Sequence, residues 1–150
     1  MKKIFNQLVF GLFAMAFFGG AQGATAEEAI ALTKKAVETI KKDGKEKAFA
    51  QFNDPKGAFV KADLYVMSYD MQGNNKAHGG NPKLIGKNLY DIKDKNGVFI
   101  VQELIKAANS PAGNGWASYV WVNPVSKAVI NKSTYVEKVD DVLVGVGIDK

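Results

Sequence analysis

Three strand-like runs crowd the last third of the chain: Trp116–Val122, Ala128–Val136 and Val142–Ile148. Only the short turns around Asn123-Pro124 and Asp140-Asp141 separate them. Runs this close can pair only as neighbours, so the chain is committed to an antiparallel meander. The last run shows its two faces directly. Val142, Val144, Val146 and Ile148 alternate with Leu143, Gly145 and Gly147, giving one branched apolar face and one nearly empty face. The branched face is expected to pack on a helix. The glycine face either leaves room for the close approach of a ring or ligand, or permits strong bending of the sheet.

The helix on offer lies at Glu27–Lys42. Its apolar positions Ala29, Leu32, Ala36, Val37 and Ile40 repeat at helical spacing, between leading acids Glu27 and Glu28 and trailing bases Lys41 and Lys42. Asp43-Gly44 interrupts it, and Lys45–Phe52 continues as a second helical segment, so one kinked helix or a helix pair is expected. Ala62–Tyr69 and Asn74–His78 read as a hairpin around the turn Asp70-Met71-Gln72-Gly73. A long loop, Gly79–Asn88, follows, and loops of this size often lie over a ligand. A further helix is expected over Val98–Ala108. The order gives an α+β domain: a long N-terminal helix packed on a roughly five-stranded antiparallel sheet.

Residues 1–26 read as a secretory signal peptide. Met1-Lys2-Lys3 precedes the apolar run Ile4–Phe18 and a small, polar segment ending Ala24-Thr25-Ala26. Cleavage is expected after Ala26, with Gly23 as second choice, leaving 27–150 as one ligand-binding domain without a membrane span and a periplasmic or secreted location. Loss of Lys2 and Lys3 lowers the formal net charge from +5 to about +3. The lysines are scattered, with no basic-aromatic platform, so no nucleic acid partner is expected. The chain has no cysteine, which excludes disulfides, thiolate chemistry and Cys-ligated zinc. It also has no arginine, so a bound carboxylate must rely on a lysine and neutral donors instead of a guanidinium fork.

The pattern Tyr65-Val66-Met67-x-Tyr69-Asp70-x-x-Gly73, His78, Gly86-Lys87-Asn88-Leu89, Asp94-x-x-Gly97, Gly115-x-x-x-Tyr119-x-Trp121-x-x-Pro124, Lys132-x-x-Tyr135-Val136 and Gly145-x-Gly147-Ile148 resembles the single Cache domains of bacteria. In particular it is similar to the group with a PAS-like sheet behind a long N-terminal helix. The resemblance implies an extracytoplasmic sensor domain that binds a small organic acid or similar metabolite, of the kind carried by chemoreceptors and sensor kinases. The chain departs from the family pattern in having Gly79 where proline usually follows the histidine.

Strand parity puts Tyr119 and Trp121 on one face, and Tyr65, Met67 and Tyr69 on one face of their own strand. Tyr119 and Trp121 are candidate pocket walls, and at least Tyr65 is expected near the ligand. Lys132, at a strand centre with Ile130 and Thr134 on its parity, is the candidate partner of an anion. Lys132 and Tyr135 have opposite parities, so both reach one pocket only across a bulge. Asn88 and the single histidine, His78, complete the candidate set of ligand contacts: Tyr65, Met67, His78, Asn88, Tyr119, Trp121, Lys132 and Tyr135. Trp116 reads as a strand-end packing residue. Asp94-x-Asn96-Gly97 with Glu103 imitates part of a calcium loop, but Ile92 stands at its first ligand position, so no metal site is expected. One histidine and no nucleophile-base spacing leave no support for catalysis, and no cofactor is expected. The competing expectation is an interaction module without a ligand, docking on a membrane receptor, sensor kinase or enzyme.

Overall fold

The structure, a computed structural model, describes residues 23–123 and 126–150. Helix α1 (Ala26–Asp43) opens the fold, and Thr25 caps it: its Oγ1 accepts the Glu28 N–H and its own N–H donates to the Glu28 carboxylate. This reciprocal capping box satisfies donors that the first turn cannot satisfy internally. The cap lies on the leader side of the boundary expected after Ala26 and stays whole only with the second expected cleavage point, after Gly23. The expected signal segment up to residue 22 lies outside the described residues, as does Pro124 of the expected 123–124 turn. Gly44, at φ +84°, ends α1 and starts α2 (Lys45–Phe52), so the two segments are a helix pair.

Six strands follow among the described residues: β1 (Val60–Lys61), β2 (Leu64–Asp70), β3 (Asn75–His78), β4 (Asn114–Val122), β5 (Val129–Val139) and β6 (Val142–Asp149). All pairings are antiparallel, in the order β1-β2-β6-β5-β4, with β3 also on β2. The Val66 N–H donates to the Phe59 carbonyl and the Val66 carbonyl accepts from Gly79. Both groups of one strand residue leave the same edge, so β1 and β3 lie end to end and the sheet has five columns. The meander β4-β5-β6 is as expected, and β6 sits at the centre between β2 and β5.

The two faces of the sheet carry two separate cores. Val142, Val144 and Val146 of β6 pack with Leu64 and Val66 beneath Ala29, Ala36, Val37 and Ile40 of α1 and Phe52 of α2. On the other face Met67, Tyr69, Ala117, Tyr119, Val136 and Leu143 pack against Ile100, Val101, Leu104 and Ala108 of α3 (Ile100–Ala108). The long connection between β3 and α3 covers the remainder of this second face through Leu89, Ile92 and Val98.

The space over the central glycines is filled by the protein itself. A Cβ on Gly145 would lie 2.7 Å from Val136 Cγ1 and 2.8 Å from the Tyr135 carbonyl, and one on Gly147 would lie 2.8 Å from Thr134 Oγ1. The glycines therefore admit the cross-strand side chains of β5, which form the floor of the second face.

Candidate functional site

The second face holds a narrow internal cavity of about 20 Å3, lined by Tyr65, Met67, Tyr69 and His78 on one side, Tyr119, Trp121 and Lys132 on another, and Leu84, Leu89, Ile92, Ile100, Val101 and Leu104 above. That volume admits about one water molecule. It adjoins an outer groove of about 650 Å3 whose walls include Val60, Ala62, Asp63, Gly80, Asn81, Lys83, Ile130 and Asp149. Tyr65, His78, Trp121 and Lys132 line both spaces and form the junction between them.

Strand parity places the walls. Tyr119 lies opposite Lys132 and Trp121 opposite Ile130, so β4 and β5 offer ring, ammonium and ring on one surface. Tyr119 is fixed by a 2.8 Å hydrogen bond between its hydroxyl and Thr134 Oγ1, and burial pushes that hydroxyl up to about 12. Burial likewise raises Tyr69 and Tyr65, the latter with help from the Asp149 charge. All three are neutral hydroxyls at physiological pH, so these rings line the cavity without adding charge.

The Lys132 side chain is only 9% exposed, and its Nζ stands 2.9 Å from Asp149 Oδ1 and 5.8 Å from the centre of the Tyr65 ring. The Tyr65 ring in turn lies 5.0 Å from the imidazole of His78. His78 Nδ1 accepts the Asn81 N–H at 2.9 Å, which leaves the ring neutral with its proton on Nε2. Burial is the largest influence on this ring; its own backbone opposes, and the Lys132 ammonium adds to the depression, giving a value of about 4. No hydrogen bond engages His78 Nε2 among the described residues. The junction therefore offers one ammonium and one neutral N–H donor to whatever enters.

Six of the eight expected site residues meet here: Tyr65, Met67, His78, Tyr119, Trp121 and Lys132. The other two do not. Tyr135 is on the α1 face, because β5 runs without a register shift against both β4 and β6 and the bulge that would turn it inward is absent. There it packs on Trp116 at 5.4 Å and donates to Glu137, and burial plus that carboxylate push its hydroxyl up to about 12. Asn88 is exposed and braces the β2–β3 turn instead, donating to the Gln72 carbonyl and Asn74 Oδ1. Trp116, expected to pack at a strand end, does so with 39% of its surface still exposed.

Gly79 explains its own departure from the family pattern. Its N–H donates to the Val66 carbonyl at 3.0 Å, and a Cβ there would meet the Phe52 carbonyl at 2.9 Å. Proline has no such donor, so in this chain glycine extends the β3 ladder by one bond and positions the start of the loop beside His78. The Asp94 turn has a structural role. Its carboxylate accepts from Asn96, Val98 and, across the fold, Val120 on the outer edge of β4, and these bonds, the Val120 one foremost, hold it below the usual carboxylate range. No group of potential metal ligands gathers among the described residues.

Sequence reading missed the apolar roof and Asp149. Leu84 and Leu89 come from a loop without periodicity, so no pattern marked them as inward. Asp149 carried a legible signal: a two-residue turn at Asp140-Asp141 sets Val139 opposite Val142 and thereby every later pair, including Lys132 opposite Asp149.

Comparison with known proteins agrees with this geometry. A methyl-accepting chemotaxis protein from Vibrio parahaemolyticus superposes with a TM-score of 0.69 at 32% identity, over 82% of this chain and 86% of that one. A Cache chemosensory domain solved for its carboxylic acid recognition superposes at 0.68 with 20% identity, over 82% and 91% of the two chains, a likeness of fold. The sensor histidine kinase MctS of Rhizobium johnstonii is 33% identical over 78 residues, which are 52% of this chain but only 16% of that kinase. None of the described helices is long and apolar enough to cross a membrane. With a helix-backed five-column sheet, a cavity between that sheet and α3, and a match of the Single Cache domain 2 family over residues 20–149, the chain belongs to the single Cache domain family of extracytoplasmic sensor modules.

Proposed function

We propose that this domain is a periplasmic receptor for a small organic anion, held at the junction of the internal cavity and the outer groove. The observation that carries the reading is Lys132: a nearly buried ammonium on a strand centre, lining both spaces, beside the unengaged Nε2–H of His78. A buried cation needs an anionic partner, and its present partner, Asp149, is half in solvent, so the pair is readily opened. In a chain without arginine this lysine and neutral donors are what a carboxylate can use. Tyr65, Tyr119 and Trp121 supply shape, Met67 and the roof leucines supply an apolar end, and the loop from Gly79 to Asn88 is the segment that admits or encloses the ligand. The Cache chemosensory domain with similar architecture recognises a carboxylic acid, which suits the same chemistry here. By analogy with the chemoreceptor and kinase relatives, a membrane receptor or sensor kinase is the expected partner.

A thermal-shift screen of small carboxylates, amines and amino acids tests this. A ligand at a hundredfold excess over its Kd adds about 2.7 kcal/mol of stability. The carboxylates are expected to give the shift and Lys132→Ala to lose it; no shift from any class, or an equal shift in the variant, refutes the reading.

The small volume of the internal cavity favours a second reading, in which the rings are a filled core and the domain docks on a partner without a ligand. In that case pulldown from periplasmic extract recovers a stoichiometric protein and the screen stays silent.

A further inference from the structure

We infer that Asp149 is a specificity-determining residue of this site, restricting it to ligands with one negative charge; the inference rests on the anion reading above. The β5–β6 ladder sets Asp149 directly opposite Lys132, and Oδ1 lies 2.9 Å from Nζ. Lys132 lines both spaces, whereas Asp149 lines only the outer groove. The resident carboxylate thus stands at the mouth, where an incoming anion approaches the ammonium.

Lys132 is the one charged residue among those lining the internal cavity, and Lys83 joins only in the groove, where Asp63 accompanies it. Lys132 and Asp149 together carry no net charge. A monocarboxylate therefore brings the cluster to a single negative charge and a dicarboxylate to two, with no guanidinium to absorb either. The field of Asp149 reaches the cavity wall, since it contributes with burial to raising the Tyr65 hydroxyl. Like charges about 6 Å apart at an effective dielectric of about 40 weaken binding roughly tenfold, and a dianion feels this for each of its charges. Asp149 is 55% exposed, so it can swing from Lys132 to let one carboxylate bind without disturbing the core. Its charge remains at the mouth and opposes the second.

Isothermal titration calorimetry with propionate and succinate, on the wild type, Asp149→Asn and Glu38→Gln, tests the assignment. Wild type is expected to prefer propionate. Asp149→Asn is expected to tighten propionate about tenfold and succinate by more, while Glu38→Gln, which removes an exposed carboxylate of α1 on the other face of the sheet, changes either by less than twofold. Equal tightening of both acids, unchanged or weaker binding in Asp149→Asn, or the same effect from Glu38→Gln overturns the assignment to Asp149. Failure of both acids to bind either the wild type or Asp149→Asn overturns the anion reading itself, and this inference with it.

Discussion

Acidification from pH 8 to pH 5 is expected to destabilise the domain by about 2 kcal/mol through His78 alone. The unfolded chain carries an ordinary histidine near 6.5, whereas in the fold this ring sits at about 4. A depressed histidine binds fewer protons folded than unfolded, so stability is fully present above the unfolded value and is lost as pH falls from about 6.5 towards 4. The full loss over 2.5 pH units is about 3.4 kcal/mol, and the part realised by pH 5 is about 2 kcal/mol. Geometry gives the same sign independently. Protonation puts a hydrogen on Nδ1, where the Asn81 N–H now donates, so charging the ring turns a hydrogen bond into two opposed donors 2.9 Å apart. The window separates this ring from the carboxylates: Asp70, Asp94 and Asp141 are held below their usual range, so their contributions persist above about pH 4 and fade only beneath it. No second histidine exists to confuse the reading. Urea titrations followed by the fluorescence of Trp116 and Trp121 measure it, with an expected fall in midpoint of about 1 M for a urea m-value near 2 kcal/mol/M. His78→Gln is expected to flatten the slope between pH 8 and pH 5 whatever its absolute stability. Equal wild-type stability at the two pH values, or a variant that keeps the full loss, refutes the reasoning.

Two further outcomes test the frame around the site. Thr25→Ala removes one half of the capping box and is expected to cost about 1 kcal/mol in the same urea assay at pH 8, and a chain starting at Glu27 loses both halves and sets an α-ammonium at the positive end of α1; equal stability of chains starting at residues 24 and 27 would count against it. Gly79→Pro deletes the bond to the Val66 carbonyl and drives ring atoms towards Phe52 and Val60, so a loss above about 2 kcal/mol is expected, and a neutral result would mean that the loop leaves β3 along another path.

What was legible in the sequence follows from where local chemistry decides. The alternation of Val142, Val144 and Val146 with Leu143, Gly145 and Gly147 assigned both faces of β6, and the helix-facing face is as expected. The empty face admitted two readings, room for a ring or ligand and freedom to bend, and the space directly over the glycines is taken by cross-strand Thr134 and Val136, which single-strand parity cannot reveal, because the side chain that uses a glycine's space belongs to the neighbouring strand. The loop-borne roof residues Leu84 and Leu89 were invisible for a related reason: a loop has no period from which inwardness can be read.

The fate of Lys132 and Tyr135 shows how far parity extends once register is known. A regular β5 separates them onto opposite faces, and the family pattern that grouped them describes an order along the chain, not a shared surface. The same rule that sends Tyr135 away brings Asp149 in, since a two-residue turn at Asp140-Asp141 leaves β6 no other register against β5. The polar character of the site is therefore set as much by the β5–β6 turn as by the residues that line it. The register of one hairpin thus fixes both the place of Lys132 and the acid beside it, and a two-residue slip would set Gly147 opposite Lys132, keep the faces of β6 and take the charge of Asp149 out of the pair.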